Sequence, residues 1–494
     1  MRNALLILRK DARHLWPRTL VFAGLVAGYA GLDIALPRNP MEAGAGMLGG
    51  ALVWLAAAFV VVSVVHQDRL TGDRQFWVTR PYSWSSLLLA KFLFVLLFLN
   101  LPMLLAQSAA LAANGLSPLR YAPQLLLRQL GFVVSVAVPC AALAAVTADM
   151  VQVVLAALAG FAALYAALLE LSRLLPFSND VFAWGCAQPF SDTCQALLML
   201  LFAGIGMGLQ YSRRATWPAR CLVACGLLVP WLFPFVAPWG AAFALLARSS
   251  PAVDPALVRL SPGPARISNN YGYWGVGGAI PVLFPIQVTG IPAGMAVISE
   301  RIQVTAEAPG GERWNSDWSS ANQIPRDAPA WSPDHLISSD GPYWIEVHIA
   351  KSFADRFLEV PVHLRATVAF TLLGRATTTV MPVGRLTSVA DGGFCHPTKR
   401  NGLFSLFCAT PLQRPAMTRV RLLPESQYPE YQSLGGVQSF PSSRFSIWEV
   451  LSGGAQYRLP ATPSAVSFES RPGVTHFERV LDLPGVRLGE GIPQ

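Results

Sequence analysis

The side chains able to do chemistry are spaced in a way that argues against an enzyme. Five of the seven histidines, His335, His348, His363, His396 and His476, fall in the second half of the chain, and none belongs to an H-E-x-x-H pair. No G-x-S-x-G elbow is present, and no lone cysteine stands with a candidate base. Glu346 and His348 share one face of a strand, a poor metal signature beside the simpler reading of a solvated outer face. The chain also lacks G-x-x-x-x-G-K-[ST], so it cannot cradle nucleotide phosphates itself. The cysteines point to cross-links instead. Cys395 with Cys408, and less strongly Cys186 with Cys194, are local pairs that would close in an oxidising compartment, the alternative being four free thiols. Cys140, Cys221 and Cys225 read as small apolar packing residues.

These residues are positioned by two unlike halves. The chain is 53% hydrophobic and 13% charged, and the first 250 residues contain runs long enough to cross a bilayer, which takes about 20 apolar residues as helix. Only helices satisfy their own backbone in lipid among such runs. Spans are expected at Thr19–Leu36, Met47–Val65, Leu87–Ala112, Leu130–Val146, Met150–Arg173, Cys194–Tyr211 and Cys221–Ala247. Pro230, Pro234 and Pro238 should kink or partly unwind the last of them. Residues 1–18 read as an interfacial helix, with Leu5, Leu8, Ala12 and Leu15 at helical spacing among basic residues and Pro17 as its stop.

Basic residues near the span ends set the orientation. The N-terminal tail (Arg2, Arg9, Lys10, Arg13, Arg18), the second connection (Arg69, Arg74, Arg80) and the sixth (Arg213, Arg214, Arg220) carry eleven of them. The opposite side carries five, namely Arg38, Arg120, Arg128, Arg173 and Arg248. The N-terminus is therefore expected in the cytoplasm. The net charge of +9 reflects this asymmetry and not a nucleic-acid face. Seven spans is an odd number, so the second half should lie outside the cell membrane. Asp33 and Glu170 fall toward outer span ends and read as interfacial; Asn100 lies at lipid depth. Lys91, near the inner end of the third span, is expected to snorkel to the headgroups.

The connection at 66–91, HQDRLTGDRQFWVTRPYSWSSLLLAK, is too polar for lipid and too aromatic for a free loop. Phe76, Trp77, Tyr82 and Trp84 beside Arg74 and Arg80 suit a helix-turn held at the membrane surface. Here the chain resembles the permease subunits of ABC-2 type exporters. Asp68, Gly72, Pro81, Ser83, Leu87 and Lys91 fall at the spacing of that family's motif, while Trp84 and Asp73 stand where the family usually has Arg and often has Thr. The resemblance covers about the first 215 residues. It implies a membrane half of an exporter that binds no cofactor itself. Its partners would be a separate ATP-binding subunit carrying ATP and Mg, and a second copy or paired permease. Asp68, Arg69, Gly72, Arg74, Trp77, Arg80, Pro81, Ser83 and Lys91 would be the coupling residues. An ordinary interfacial loop is the plainer alternative.

After the transmembrane domain (19–248) and a Pro/Ser/Gly-rich linker (249–278), residues 279–494 alternate as strands. In VPVHLRATVAF, Val362, Leu364, Ala366, Val368 and Phe370 form one face against His363, Arg365 and Thr367. Frequent turn signals suggest an extracytoplasmic antiparallel sandwich of immunoglobulin-like type. Trp314, Trp318 and Trp331 would line a cleft or, more simply, cap a core. A membrane-anchored binding or scaffold protein is the second functional class.

Overall fold

In the computed structural model, the structure describes residues 2–35, 43–68, 71, 83–174, 185–252, 254, 257–262, 268–269, 279–320, 323–325, 336–337, 340–389, 393–400, 403–409, 411, 416–423, 431–433, 449–453 and 465–488. Among the described residues, seven helices are long and apolar enough to cross a membrane: Arg2–Leu32, Leu48–His66, Trp84–Ala113, Ala122–Val146, Met150–Leu171, Gly185–Arg213 and Thr216–Val236. They are called spans one to seven.

The expected stop at Pro17 does not occur. One helix runs Arg2–Ala35 with Pro17 inside it, and its first turns are not free in a headgroup plane. Ala4, Ile7, Leu8, Asp11 and Leu15 are buried, an i, i+3, i+4 stripe that continues into Phe22 and Val26. Burial along this stripe outweighs the local cost of the proline, and Leu5 remains outside it. The last expected span also divides. Its helix keeps Pro230 and Pro234 but ends at Val236, and Pro238 precedes a separate helix, Trp239–Ser249.

Spans three and four each contain a π-helical turn, Leu96–Asn100 and Val133–Ala137, with Pro102 and Pro139 two residues further on. A proline has no N–H to donate, and its ring crowds the carbonyl four residues back. Widening the preceding turn keeps the helix continuous. One apolar core joins six of the spans through Phe22, Val60, Phe94, Phe132, Ala203 and Val223, with span five touching it at Val153.

The second half is antiparallel throughout its described strands. Among the described residues it forms three sheets and is not clearly the two-sheet sandwich of immunoglobulin-like kind. Ala279–Thr289 and Gly341–Ala350 pair in the first, and Ala296–Glu307, Val362–Leu373 and Ala465–Val486 in the second. Phe394–Arg400, Leu403–Ala409 and Glu449–Gly453 pair in the third. The first two share a core of Phe284, Ile286, Ile345, Val304, Val368 and Leu481. The expected inward face of 362–370 is the buried one, whereas His363 and Arg365 are exposed. The 22-residue strand Ala465–Val486 reaches a second core, pairing with Thr377–Pro382 and Ala416–Leu423 up to Pro472 and with Val362–Leu373 beyond it. That core holds Met381, Val420, Val466 and Phe468 beside Cys395 and Cys408.

The β region sits on one end of the bundle. Phe394, Phe407 and Ala409 pack with Leu116, Tyr121 and Leu125 at the turn between spans three and four. Ala369 packs with Ala187, Trp239 and Phe243 at the head of span six and the helix after span seven. The connections two-to-three, four-to-five and six-to-seven therefore share the opposite end.

Candidate functional site: a buried charge cluster at the second connection

Three elements converge at that opposite end. Asp11 lies on the buried stripe of the first helix, one turn from Ile7 and from Leu15, so the packing that seats those leucine and isoleucine side chains also seats its carboxylate. Asp68 stands in the turn just past span two, its N–H 3.3 Å from the Val65 carbonyl. Lys91 sits two turns into span three, which is capped by Ser83, whose hydroxyl accepts from the Ser86 N–H at 3.3 Å. Lys91 Nζ donates to Asp11 Oδ2 and to Asp68 Oδ2, each at 2.7 Å. Lys10 Nζ donates to Asp68 Oδ1 at 2.7 Å and lies 3.3 Å from Asp11 Oδ1.

The result is a closed alternation of two ammonium and two carboxylate groups. The side chains of Lys91, Asp11 and Asp68 are 6%, 0% and 8% exposed, and Lys10 is the rim at 29%. Burial by itself would raise the Asp68 carboxyl, and it is the largest single influence. The charges and hydrogen bonds of Lys91 and Lys10 together outweigh it and hold the group below the ordinary carboxylate value. Lys91 therefore does not snorkel. Two carboxylates in a dry setting bind its ammonium inside the protein, where the headgroups would otherwise have been its partner.

Tyr211 of span six is buried within electrostatic reach of both aspartates. Tyr211 and Lys91 also line a cavity of about 380 Å³ between spans two, three, four and six, whose other walls include Val61, Leu88, Val138 and Met207. Neighbouring bonds tie the same end together. His66 Nε2 lies 3.1 Å from the Ala144 carbonyl, and Arg220 Nε donates to the Val146 carbonyl at 3.1 Å. The arrangement is suited to holding the first helix, the second connection and span three as one mechanical unit, since Lys91 supplies the hydrogen bond that Asp11 accepts and bridges it to Asp68.

Of the expected coupling residues, the structure brings Asp68 and Lys91 together and places Ser83 at the start of span three. Arg69, Gly72, Arg74, Trp77, Arg80 and Pro81 lie outside the described residues. Asp11 escaped the sequence reading, and Lys10 figures there as an orientation charge only. The available signal was Asp11 itself, the sole acidic residue before Asp33, four residues from both Ile7 and Leu15. An acid on an apolar stripe demands a buried base.

Elsewhere, Asn100 donates to the Gln129 carbonyl at 3.3 Å, and Gln129 Nε2 donates to Gln107 Oε1 at 3.0 Å. This joins spans three and four beside the π turn that ends at Asn100. Cys395 and Cys408 are disulfide-bonded, directly opposite one another on paired strands with Cα atoms 4.1 Å apart. Cys186 and Cys194 are free thiols, contrary to the second expected pairing. Both belong to the helical segment at the head of span six, where eight residues of rise separate them by about 12 Å, beyond the reach of a disulfide. Cys140, Cys221 and Cys225 are likewise free. Trp314 packs on the β core against Phe353. Trp331, His335 and the side chains of Glu346 and His348 lie outside the described residues.

Comparison with known proteins finds no family model that matches this chain and no curated sequence similar to it.

Proposed function

We propose that this chain is the membrane-spanning permease subunit of an ABC-2 type exporter. A separate ATP-binding subunit, carrying ATP and Mg²⁺, drives it from the cytoplasmic side, and a second copy or a paired permease completes the path. The observation that carries this reading is the Lys10–Asp11–Asp68–Lys91 cluster. Two residues of the family-like motif, 23 positions apart, close on each other at 2.7 Å and draw in the first helix. A push received by the 66–91 connection would then move spans one to three together. On this reading the chain lies in the cell membrane with its N-terminus cytoplasmic, and the β region is an external, sandwich-like module that gates or receives cargo.

The test is affinity purification from mild detergent, identification of co-purifying chains, and an ATPase assay on the product. An ATP-binding subunit should be recovered, with its turnover altered by Arg74→Ala, Trp77→Ala or Arg80→Ala. A membrane protein isolated without such a partner and without ATPase activity would refute the exporter reading. The second reading, a membrane-anchored binding or scaffold protein, is favoured by one observation, the extensive seating of the β region on the span ends. It would then stand.

A further inference from the structure

The strand Ala296–Glu307 carries an irregularity at the place where the β region meets the bundle. Ala369 pairs with Arg301 while its neighbour Phe370 pairs with Ser299, so Glu300 is an extra residue in the ladder. The core-facing positions switch parity across it, from Ile302, Val304 and Ala306 to Val297. A bulge of this kind re-aims side chains, and here it turns two consecutive charged residues onto two different membrane elements.

Glu300 reaches the head of span six. Its Oε2 accepts from the Cys186 N–H at 3.2 Å, and its Oε1 accepts from the Thr371 hydroxyl at 2.6 Å. Thr371 Oγ1 in turn lies 2.9 Å from His476 Nδ1. Gly185 receives the carboxylate. Its φ is +54°, and a Cβ there would lie 2.4 Å from Glu300 Oε2. Arg301 serves the helix after span seven. Its guanidinium lies 5.1 Å over the Trp239 ring and donates to the Trp318 carbonyl at 3.2 Å. Trp318 closes on the same helix at Gly240, where a Cβ would meet its Nε1 at 2.4 Å. His476 meets that helix too, edge-on to Phe243 at 5.9 Å. Burial raises the Glu300 carboxyl above its ordinary value against the pull of its Thr371 and Cys186 donors. Placing it there is a cost the fold bears.

We propose that Glu300 and Arg301 form a two-pronged clasp through which displacement of the β region is passed jointly to the head of span six and to the helix following span seven. Because one bulge holds both prongs, releasing either should loosen the other. What is transmitted depends on the permease reading above, but the clasp does not.

The test is amide hydrogen exchange on the full chain in detergent, without nucleotide or partner, following segments 185–190 and 239–249. Glu300→Ala and Arg301→Ala should each speed exchange about tenfold or more in both segments, and the double variant should add little beyond either single one. Exchange over 362–373 should stay unchanged as the check that the sheet is intact. If either alanine variant loses that protection, Glu300→Gln and Arg301→Lys are read by the same criterion. Gly185→Ala, which drives the carboxylate away without touching the strand, should reproduce the effect at 239–249. Independent effects, with Glu300 moving 185–190 alone and Arg301 moving 239–249 alone, would overturn the proposal and leave two local contacts. Failure to find an ATPase partner would leave this result untouched.

Discussion

Lys91 holds two carboxylates apart as much as it holds them together. Replacing it by Met leaves Asp11 and Asp68 with the rim residue Lys10 as their one shared cation, and removing one partner of a buried ion pair costs about 3–5 kcal/mol. A clear fall in melting temperature in detergent is expected. Lys91→Met combined with Asp11→Leu and Asp68→Asn should recover much of the loss, since the one charge left, Lys10, sits at the 29% exposed rim where water can take it. Equal melting of the single and triple variants would contradict the assigned geometry. The pH response follows from Asp68. Its folded pKa lies below its ordinary 3.8, so the unfolded chain binds this proton more readily. The stabilisation is complete above about that value and is lost as the pH falls through the lowered one. Asp68→Asn should remove this part of the acid sensitivity in a melting series. The residues of the cluster were half legible in sequence. The motif spacing marked Asp68 and Lys91, but a lysine near a span end has water as its default partner, and only the folding of the first helix reveals a better one.

At the scale of elements, spans six and seven form a close hairpin whose contacts are set by glycine. A Cβ on Gly226 would lie 2.8 Å from the Phe202 Cβ, and one on Gly206 would lie 3.1 Å from Val223 Cγ2. The first meets an atom fixed to the backbone, so the helices must separate to admit it. Gly226→Ala should therefore destabilise by about 1–3 kcal/mol, the usual range for overpacking, and Gly226→Leu by more. Gly204→Ala, with open space around it, is the control that should melt like the parent. Thermal unfolding followed by size-exclusion fluorescence decides this. All seven long apolar helices could be read from the sequence, because each contains a run near the roughly 20 apolar residues that a bilayer crossing needs. Their ends were less legible. Span four begins at Ala122, eight residues before its expected start, because Gln124, Arg128 and Gln129 look like a connection until they are seen buried against other helices. The π turns before Pro102 and Pro139 left no distinct trace either. A proline marks a disturbed turn without saying whether the helix breaks, kinks or widens.

The whole molecule is a bundle with a covering on one end, and the covering fixes which span ends are neighbours. Strand alternation announced the β region, but its three-sheet arrangement depends on the long strand Ala465–Val486 serving two cores, which no local pattern encodes. The disulfide joins this architecture to sidedness. Cys395 and Cys408 face each other across paired strands in the smaller core, which also lies beside the span three-to-four turn. Closing a loop of 13 residues is worth about 3 kcal/mol in the chain-entropy account. Reduction, or Cys395→Ser with Cys408→Ser, should therefore lower the melting temperature of the β region while spans one to three keep theirs. The same pair reports the compartment, because such a bond persists only where thiols are oxidised. In intact cells lysed directly into denaturant with a thiol-reactive label, Cys395 and Cys408 should stay unlabelled unless a reductant is added first. Labelling of Cys395 and Cys408 without reduction would place the β region in the cytoplasm. An odd number of crossings would then put the N-terminus, and the Lys91 cluster with it, on the far side from any nucleotide-driven partner.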